Sequence, residues 1–401
     1  MKTQIEQIRV KNFKLYKDLQ VTDLQRLNVF LGANGSGKTT FFKIFSFLST
    51  CLRENVTVAV NREGGFKEVI TRNSDPEKNL IEFEIKFRNF EDGEKSSLAT
   101  YELKIGFNRG KIFVDREILK YRRGIKGKPW HFLDYSRGVG SAIKNEQDYE
   151  QKPWNAQEKR EEQPLGAEDI LALKGLGQFK HYKTIKSFRI LLEQWLVSNL
   201  QNEEMRRINE VGADQQLSSS GNNLAQVASY LYEYHPEIFQ TILTKMKKRV
   251  PGVDKVDVAI NEAGQILLKF GDNSFTNPFI SKYTSDGTIK MFAYLVLLHD
   301  PNPRPLLCIE EPENYLYPTL LIELAEELRE YAQRGGQVFV STHSPDFVNA
   351  LTIKELFLVK KEKGISTIFA AKNDPDILEM YEDGCELGWL WQHEYFKGID
   401  P

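Results

Sequence analysis

The stretch GANGSGKTT, from Gly32 to Thr40, decides the fold of this chain. It matches the pattern GxxxxGK(S/T) in full, with the apolar run LNVFL before it and the apolar helical run FFKIFSFLSTCL after it. Backbone N–H groups of such a loop turn inward around phosphates, and the following helix adds the partial positive charge of its N-terminus. A chance match is the alternative, but the flanking strand and helix argue against it. The stretch therefore predicts a phosphate-binding loop.

Each polar residue of this loop has an expected task. Lys38 should place its charge on the β- and γ-phosphates of a nucleotide, and the hydroxyl of Thr39 should face Mg²⁺. The expected nucleotide-binding residues of the loop are Asn34, Gly35, Ser36, Gly37, Lys38, Thr39 and Thr40. ATP and Mg²⁺ are the expected substrate and cofactor.

Two adjacent acids end a second apolar run, in PLLCIEEPENYLYP from Pro305 to Pro318. Two like charges side by side at the rim of a core are costly unless a cation lies opposite them. Carboxylates at the carboxyl end of a strand near a phosphate loop commonly hold Mg²⁺ or its hydration shell. Glu310 is therefore the expected metal ligand, and Glu311 the expected general base for an attacking water. A pair of solvated rim acids is the alternative.

A third strand signal, VFVSTHS, ends at His343. A histidine in that place can hydrogen-bond a γ-phosphate or its attacking water. A strand-end histidine is more often structural when it stands alone, but here the two preceding motifs favour a catalytic role. We expect the loop around Lys38, the acids after Ile309 and His343 to meet at one nucleotide.

Composition limits the classes of protein that remain. The chain has 401 residues, 54 basic and 56 acidic, with a net charge of -2, so any nucleic-acid contact must come from a local patch. Cys51, Cys308 and Cys385 are far apart and show no metal-ligand spacing. The N-terminus has no apolar signal-like region and no 18-residue apolar run occurs, so we expect a cytoplasmic protein without membrane segments.

The order of patterns along the chain predicts an α/β protein. Alternating strands, IEFEIKF and YELKIGF, follow the first apolar helix. Helical patterns run from Tyr182 to Leu200 and from 222 to 250, and the last third alternates apolar strands with helices, which predicts a largely parallel sheet covered on both faces. The expected units are an N-terminal lobe (1–120), a mostly helical insertion (121–264) and a C-terminal lobe (265–401).

A basic segment lies at the start of the expected insertion. Arg116–Arg137 holds seven Lys or Arg against two acids, with interleaved aromatic residues. It is the best candidate for a nucleic-acid or partner contact, although a charge run is more often a solvated face. The polar run from 144 to 163 is expected to be a loop or a solvated helix.

Taken together, these motifs resemble the ABC-type ATPases of the SMC/RecF-like branch, and in particular compact bacterial ATPases related to OLD and abortive-infection proteins. The likeness rests on an ordered set of motifs that covers the first 50 and the last 120 residues well. These are VKNFKLYKD, GANGSGKTT, YTSDGTIKMFAYLVLL, LLCIEEPENYLYP, VSTHSPDFVNAL and the tail ELGWLWQHEYFKGIDP. The resemblance implies a P-loop ABC-type ATPase head with a mixed sheet, an antiparallel β subdomain and a mostly helical insertion.

The same resemblance implies further roles. Ser285, Asp286 and Gly287 would be the ABC signature, which caps the γ-phosphate held by a second copy in an ATP-sandwiched homodimer; without the family, TSDG would be interpreted as a helix N-cap. Lys14 matches a basic residue near the nucleotide, and Asn314 a residue that crosses the dimer interface. Tyr317 stands where close relatives often have His and receives no role. Glu310 replaces the Asp of transporter-type members, and the Q-loop glutamine is not placed.

The motifs are compatible with several functions. The first hypothesis is an ATP-driven switch that controls an effector encoded nearby, in defence against phage. The alternative hypothesis is an SMC/RecF-like role in DNA repair or DNA binding. A transporter subunit is disfavoured by the 247 positions from Lys38 to Ser285, and a GTPase or kinase by the lack of an NKxD motif. A self-contained nuclease like OLD is disfavoured because 58 residues follow His343 and Asp374 and Asp376 look like helix-cap acids. Assemblies larger than a dimer are left open.

Overall fold

The computed structural model describes residues 2–399 except for 92–93, 96–97, 122–128, 146–156, 158, 180–181, 213 and 273–276. Within these residues the strands, in chain order, are β1 (Lys2–Phe13), β2 (Tyr16–Val21), β3 (Leu27–Leu31), β4 (Ile81–Glu91), β5 (Glu94–Lys95), β6 (Ala99–Asn108), β7 (Lys111–Tyr121), β8 (Trp130–Ser136), β9 (Val139–Ile143), β10 (Arg160–Glu162), β11 (Leu196–Ser198), β12 (Asn209–Glu210), β13 (Lys255–Ile260), β14 (Gln265–Gly271), β15 (Phe279–Ile280), β16 (Leu306–Glu310), β17 (Gln337–Thr342), β18 (Leu356–Glu362) and β19 (Ile365–Ala370).

The helices of the same residues are α1 (Lys38–Arg53), α2 (Val56–Arg62), α3 (Phe66–Val69), α4 (Ala172–Leu176), α5 (Lys183–Glu193), α6 (Asn202–Met205), α7 (Leu224–Tyr234), α8 (Pro236–Arg249), α9 (Asp286–Leu298), α10 (Pro318–Gln333), α11 (Pro345–Asn349), α12 (Pro375–Glu382) and α13 (Leu387–Gln392). None of these helices is both long enough and apolar enough to cross a membrane.

The central sheet positions the site. Its order is β11-β16-β17-β3-β18-β19, and only the last pair, β18 with β19, is antiparallel. Successive side chains of a strand point to opposite faces. Accordingly Val29 and Leu31 enter the core on one face, while Phe30 enters the core on the other. Because both faces of the sheet are buried, the sequences of its strands are continuous apolar runs.

The register of this sheet aligns three strand ends. Glu310 is opposite Ser341 on β17, and Ser341 is opposite Phe30 on β3. Since parallel strands present their carboxyl ends at the same edge, the residues that follow each strand emerge side by side. The phosphate loop, the second acid and the strand-end histidine therefore leave the sheet at one edge.

A second, antiparallel sheet has the order β10-β9-β8-β7-β6-β4-β1-β2, with β5 paired to β4. The side chain of Gln337 joins it to the central sheet, because it accepts from the N–H of Ile5 and donates to the carbonyl of Ile5, both at 2.9 Å. A small sheet of β12, β14, β13 and β15 packs near α7 and α9, where Phe270 meets Phe292 edge to face at 5.4 Å.

The α/β fold with mixed and antiparallel sheets agrees with the expectation from sequence, but one helix was predicted too long. The pattern from Tyr182 to Leu200 forms α5 only as far as Glu193, and Leu196–Ser198 is an edge strand instead. Its apolar residues pair with β16, Leu196 opposite Leu307, so tertiary pairing overrides the helical pattern.

The expected insertion has a mixed composition. Strands β8, β9 and β10 continue the antiparallel sheet beyond residue 120, and the described helices of this stretch begin at Ala172. Within the polar run, Arg160–Glu162 is a strand, and most of the remainder lies outside the described residues. The unit boundaries at 120 and 264 stay a prediction.

Candidate functional site: a phosphate loop facing paired carboxylates

The phosphate loop follows β3 directly and ends in α1. Gly35 and Gly37 have φ angles of 75° and 120°, in the region that favours glycine. A Cβ on Gly37 would lie 2.8 Å from the Oγ of Ser366. The loop is anchored from behind, since Ser366 Oγ donates to the carbonyl of Ser36 at 2.6 Å and Tyr16 Oη donates to the carbonyl of Gly37 at 2.9 Å. No side chain caps the N-terminus of α1, which leaves its N–H groups for an anion.

Lys38 is the cation opposite the acids. Its ammonium group donates to the carbonyls of Gly32 at 2.5 Å and Ala33 at 3.1 Å, so the side chain is folded back over the loop. Burial lowers the pKa of Lys38, and the negative charges of Glu311 and Glu313 oppose this effect. The loop therefore holds a largely buried cation whose charged form the neighbouring carboxylates favour.

Glu310 and Thr39 form a pair of oxygen ligands. Thr39 Oγ1 donates to Glu310 Oε2 at 3.4 Å, across the gap between α1 and the end of β16. Burial raises the pKa of Glu310, and the charge of Glu311 raises it further, while the Thr39 hydrogen bond lowers it. A hydroxyl beside a carboxylate is a set of oxygen ligands that suits a hard cation such as Mg²⁺.

Glu311 points away from Glu310 because the backbone turns between them. Glu311 has a φ of 44°, and its N–H donates to the carbonyl of Ser341 at 2.9 Å. Its Oε2 accepts from Nδ2 of Asn314 at 3.2 Å, and its Oε1 lies 3.6 Å from Nδ1 of His343. The two adjacent acids thus face different partners, which reduces their mutual repulsion.

Glu313 is a residue of the site that the motif analysis did not single out. Its Oε1 accepts from Thr342 Oγ1 and from the N–H of His343, both at 2.8 Å, and lies 3.3 Å from Nδ1 of His343. Its Oε2 is buried without a hydrogen-bond partner in the structure. Glu313 therefore fixes the strand end that carries His343. The signal in the sequence was a third acid two residues after Glu311.

The three expected signature residues lie at the start of α9. Ser285 caps this helix, with its Oγ accepting from the N–H of Thr288 at 3.2 Å. Asp286 accepts from Nη1 of Arg206 at 2.6 Å. A Cβ on Gly287 would lie 3.0 Å from the carbonyl oxygen of Tyr315, so the helix start packs on the loop that follows Glu311. Within one chain, these residues contact that loop and Arg206, while the phosphate loop faces the acids, two of which lie next to His343.

Lys14 lies beside the flank of α1. Its ammonium group is 2.8 Å from Glu63 Oε2, and Lys43 on α1 is 3.6 Å from the same atom. The structure thus assigns Lys14 a carboxylate partner next to the first turns of α1, and its contact with a nucleotide stays a prediction.

The order of the central sheet identifies a candidate for the Q-loop glutamine, which the sequence alone does not place. Since β11 is parallel to β16 with Ser198 opposite Ile309, the chain leaves β11 at the edge that carries Glu310. Gln201, exposed, follows three residues later. Gln201 becomes the candidate Q-loop residue through the pairing of β11 with β16. The sequence does not reveal it, because the residues of β11 lie within a helical pattern.

The described part of the basic segment is largely paired. Arg116 binds Asp134 through two hydrogen bonds of 3.2 and 3.0 Å, Lys120 pairs with Glu102, and Arg137 lies 4.2 Å above the ring of Phe113. The four remaining cations, Arg122, Arg123, Lys126 and Lys128, lie outside the described residues. A nucleic-acid contact of this segment stays a prediction that depends on those four.

The fold and the site together define an ABC-type P-loop ATPase of the SMC/RecF-like branch. The chain belongs to the family described as "AAA domain, putative AbiEii toxin, Type IV TA system", whose model matches residues 27–349. It is also similar to the Old nuclease of Escherichia phage P2, with 23% identity over 40% of this chain and 35% of that protein. The chain thus spans about a third of the length of that relative.

Solved SMC heads share the fold. One is an SMC head bound to the C-terminal winged-helix domain of ScpA, with a TM-score of 0.51, 13% identity and coverage of 91% of this chain and 97% of that one. Another is the Smc head with an extended coiled coil, bound to the C-terminal domain of ScpA from Pyrococcus furiosus, with a TM-score of 0.51, 14% identity and coverage of 95% and 100%. These likenesses concern the fold alone.

Proposed function

We propose that this chain is an ATP-hydrolysing switch that works as a homodimer, with two ATP molecules held between two copies. The observation that carries the proposal is the convergence of Lys38, Glu310, Glu311 and His343 at one edge of the central sheet. Family membership supports ATP as the substrate.

The residues present fit Mg²⁺-ATP. Lys38 would exchange its two loop carbonyls for phosphate oxygens, and the glycine-rich backbone would cradle the phosphates. Thr39 and Glu310 would hold Mg²⁺, which supplies charge neutralisation at the phosphate oxygens. Glu311 would accept the proton of the attacking water, and Asn314 and His343 orient its carboxylate.

A second copy is proposed because the start of α9 is exposed and carries the features of an anion site. Ser285 and Asp286 are exposed at a helix N-terminus. Three tyrosines around it are also exposed: Tyr283 by 70%, Tyr315 by 64% and Tyr317 by 74%. Exposed aromatic residues are enriched at protein interfaces, so this surface around a helix N-terminus is suited to contact a second copy that holds ATP in its phosphate loop.

The biological setting we propose is a bacterial anti-phage system of the abortive-infection type, in which the ATP-bound dimer controls a partner effector. The toxin–antitoxin description of the family and the similarity to a phage nuclease support this setting. The second candidate is an SMC/RecF-like ATPase in DNA repair or DNA binding, whose fold the SMC heads share. The absence of nuclease activity from this chain remains a prediction, which incubation with plasmid DNA and divalent metal tests.

The decisive experiment mixes two inactive variants. Lys38→Ala breaks the phosphate loop and Ser285→Arg breaks the helix tip, so each alone should have no turnover. In a mixed dimer, the intact loop of one copy meets the intact tip of the other, and turnover should return to a measurable fraction of the wild type. Light scattering in Mg²⁺-ATP follows dimer formation in parallel. Absence of both recovery and dimers would contradict the sandwich.

A further inference from the structure

A polar cavity lies at the far end of α1, away from the phosphate loop. Its volume is about 570 Å³, within the range of roughly 300–1,000 Å³ typical of small-molecule sites. The walls come from the last turns of α1, from the edge strand β11 and from Arg304, which lies two positions before β16. None of these residues belongs to the ATP site described above.

The charge of this cavity is positive. Three arginines line it, and one of them, Arg62, is matched by Glu54. The other two donate to backbone carbonyls rather than to carboxylates, Arg53 to that of Glu193 and Arg304 to that of Leu217 at 3.3 Å. The C-terminus of α1 contributes roughly half a negative charge and Asp300 lies near Arg304, so the positive excess that remains is small.

The two guanidinium groups are near enough to affect each other. Burial lowers the pKa of Arg304, Asp300 opposes this effect, and the charge of Arg53 lowers it further. Two like charges held together at a cavity wall are unfavourable without an anion, and a bound anion would relieve both repulsion and desolvation.

Trp195, one of the residues that line the cavity, has an unsatisfied donor. Trp195 is 6% exposed, and its Nε1–H is buried without an acceptor in the structure. The ring is held edge-on against Phe45 at 4.8 Å, so the donor cannot turn away freely. Buried indole N–H groups normally have a partner, and an acceptor oxygen of a bound molecule would supply one.

We propose that this cavity binds a small phosphate-bearing molecule, with the guanidinium groups of Arg53 and Arg304 on its phosphate oxygens. Guanidinium groups match phosphate geometry through paired hydrogen bonds. The volume exceeds what inorganic phosphate needs, which favours a ligand of nucleotide size. A small molecule fits better than nucleic acid because, among the described lining residues, two arginines donate to carbonyls rather than to a carboxylate, and the cavity lies between α1 and β11.

The test is a calorimetric titration of the full chain with inorganic pyrophosphate, at fixed free Mg²⁺ and with one molar equivalent of a non-hydrolysable ATP analogue present to fill the phosphate loop. A saturable binding event is expected. Arg53→Gln combined with Arg304→Gln should weaken it at least about tenfold, since the charged hydrogen bonds to the phosphate oxygens are lost. Trp195→Phe, which keeps a ring and removes the N–H, should weaken it by about threefold or more.

Matched controls keep the outcome specific. Arg72→Gln removes an arginine whose side chain is 82% exposed and which pairs with Glu68, so it should leave binding unchanged. Arg53→Gln alone, at an exposed position, replaces the double variant if the latter does not fold. A wild type without a saturable event, or equal binding in the double variant, would overturn the proposal. So would tight binding of a single-stranded oligonucleotide through these arginines without binding of pyrophosphate. None of these outcomes depends on ATP turnover or on dimer formation.

Discussion

Arg206 donates from Nη1 to Oδ1 of Asp286 at 2.6 Å, and its Nη2 donates to the carbonyl of Thr284. Arg206 follows α6, on the segment that leaves β11 at the edge of the ATP site. A second cation ties the same segment to α9, because the buried Nζ of Lys290 donates to the carbonyl of Leu200 at 2.7 Å. The candidate signature is thus held by the segment that carries Gln201.

Arg206→Met should therefore lower kcat about tenfold while leaving the Kd for ATP unchanged. The side chain keeps its length but loses the ion pair that orients Asp286, and it touches no part of the phosphate loop. Steady-state kinetics and a fluorescent-nucleotide titration separate the two quantities. Arg207→Met is the matched control, since Arg207 pairs only locally with Glu204, and it should behave as the wild type. Equal loss of ATP affinity and kcat would contradict this positioning role.

Glu311→Gln should reduce turnover by about 10²- to 10⁴-fold and leave ATP binding intact, because an amide cannot accept the proton of the attacking water. ATP-bound dimers should accumulate, as measured by light scattering. Glu326→Gln, an exposed acid on α10, removes the same charge outside the site and serves as the control. Normal hydrolysis by the Glu311 variant would mean that another group is the base.

Gly37→Ala should abolish nucleotide binding and lower stability by roughly 1–3 kcal/mol, because a Cβ there meets Ser366 Oγ at 2.8 Å at a φ of 120°. Gly364→Ala separates the effect of a positive φ from the effect of a contact with a neighbouring side chain. Gly364 has a φ of 83° but open space around it, so this variant should lose only about 1 kcal/mol and keep full binding. Urea unfolding and nucleotide titration provide the measurements; a Gly37 variant with normal affinity would contradict the packing argument.

Glu117 should make stability depend on pH. Its carboxylate is fully buried and accepts from the N–H of Leu173 at 3.1 Å, from the N–H of Ala172 and from the hydroxyl of Tyr101. Burial raises its pKa from 4.5 to about 7, since desolvation outweighs these hydrogen bonds. The folded state thus binds the proton more tightly than the unfolded state, so this contribution to stability is complete below pH 4.5 and is lost as the pH rises through 7.

The measurement is the Tm of the wild type and of Glu117→Gln between pH 5 and 8. The stability advantage of the wild type should shrink across this range, because glutamine does not titrate. Glu82→Gln, a half-exposed acid on β4, should instead run parallel to the wild type. A constant difference between the wild type and Glu117→Gln would show that the carboxyl does not titrate in this window.

Much of the fold was predictable because apolar periodicity reports burial directly. The alternation in Ile81–Phe87 became a strand of the antiparallel sheet, and the all-round apolar run after Thr40 became α1, packed through Phe41 on Phe30 and Phe339. The helix predicted over Leu196–Ser198 is wrong for a physical reason. An edge strand of three residues is defined by its pairing with β16 and not by the spacing of its own apolar residues.

The residues alone determined the chemistry at each strand end: a glycine-rich loop with Lys38 and Thr39, a carboxylate pair after Ile309 and a histidine after Thr342. Only the tertiary structure decided that these ends share one edge, because strand order and register join positions such as Leu31 and Thr342, which are 311 residues apart (342 − 31) and which local patterns do not relate. It also decided that Glu310 and Glu311 face different partners and that Glu313 fixes the strand end at His343. The chain that leads to Gln201 leaves β11 at the same edge of the sheet. Those relations depend on parallel pairing and on a backbone turn with positive φ, which no single stretch of sequence encodes.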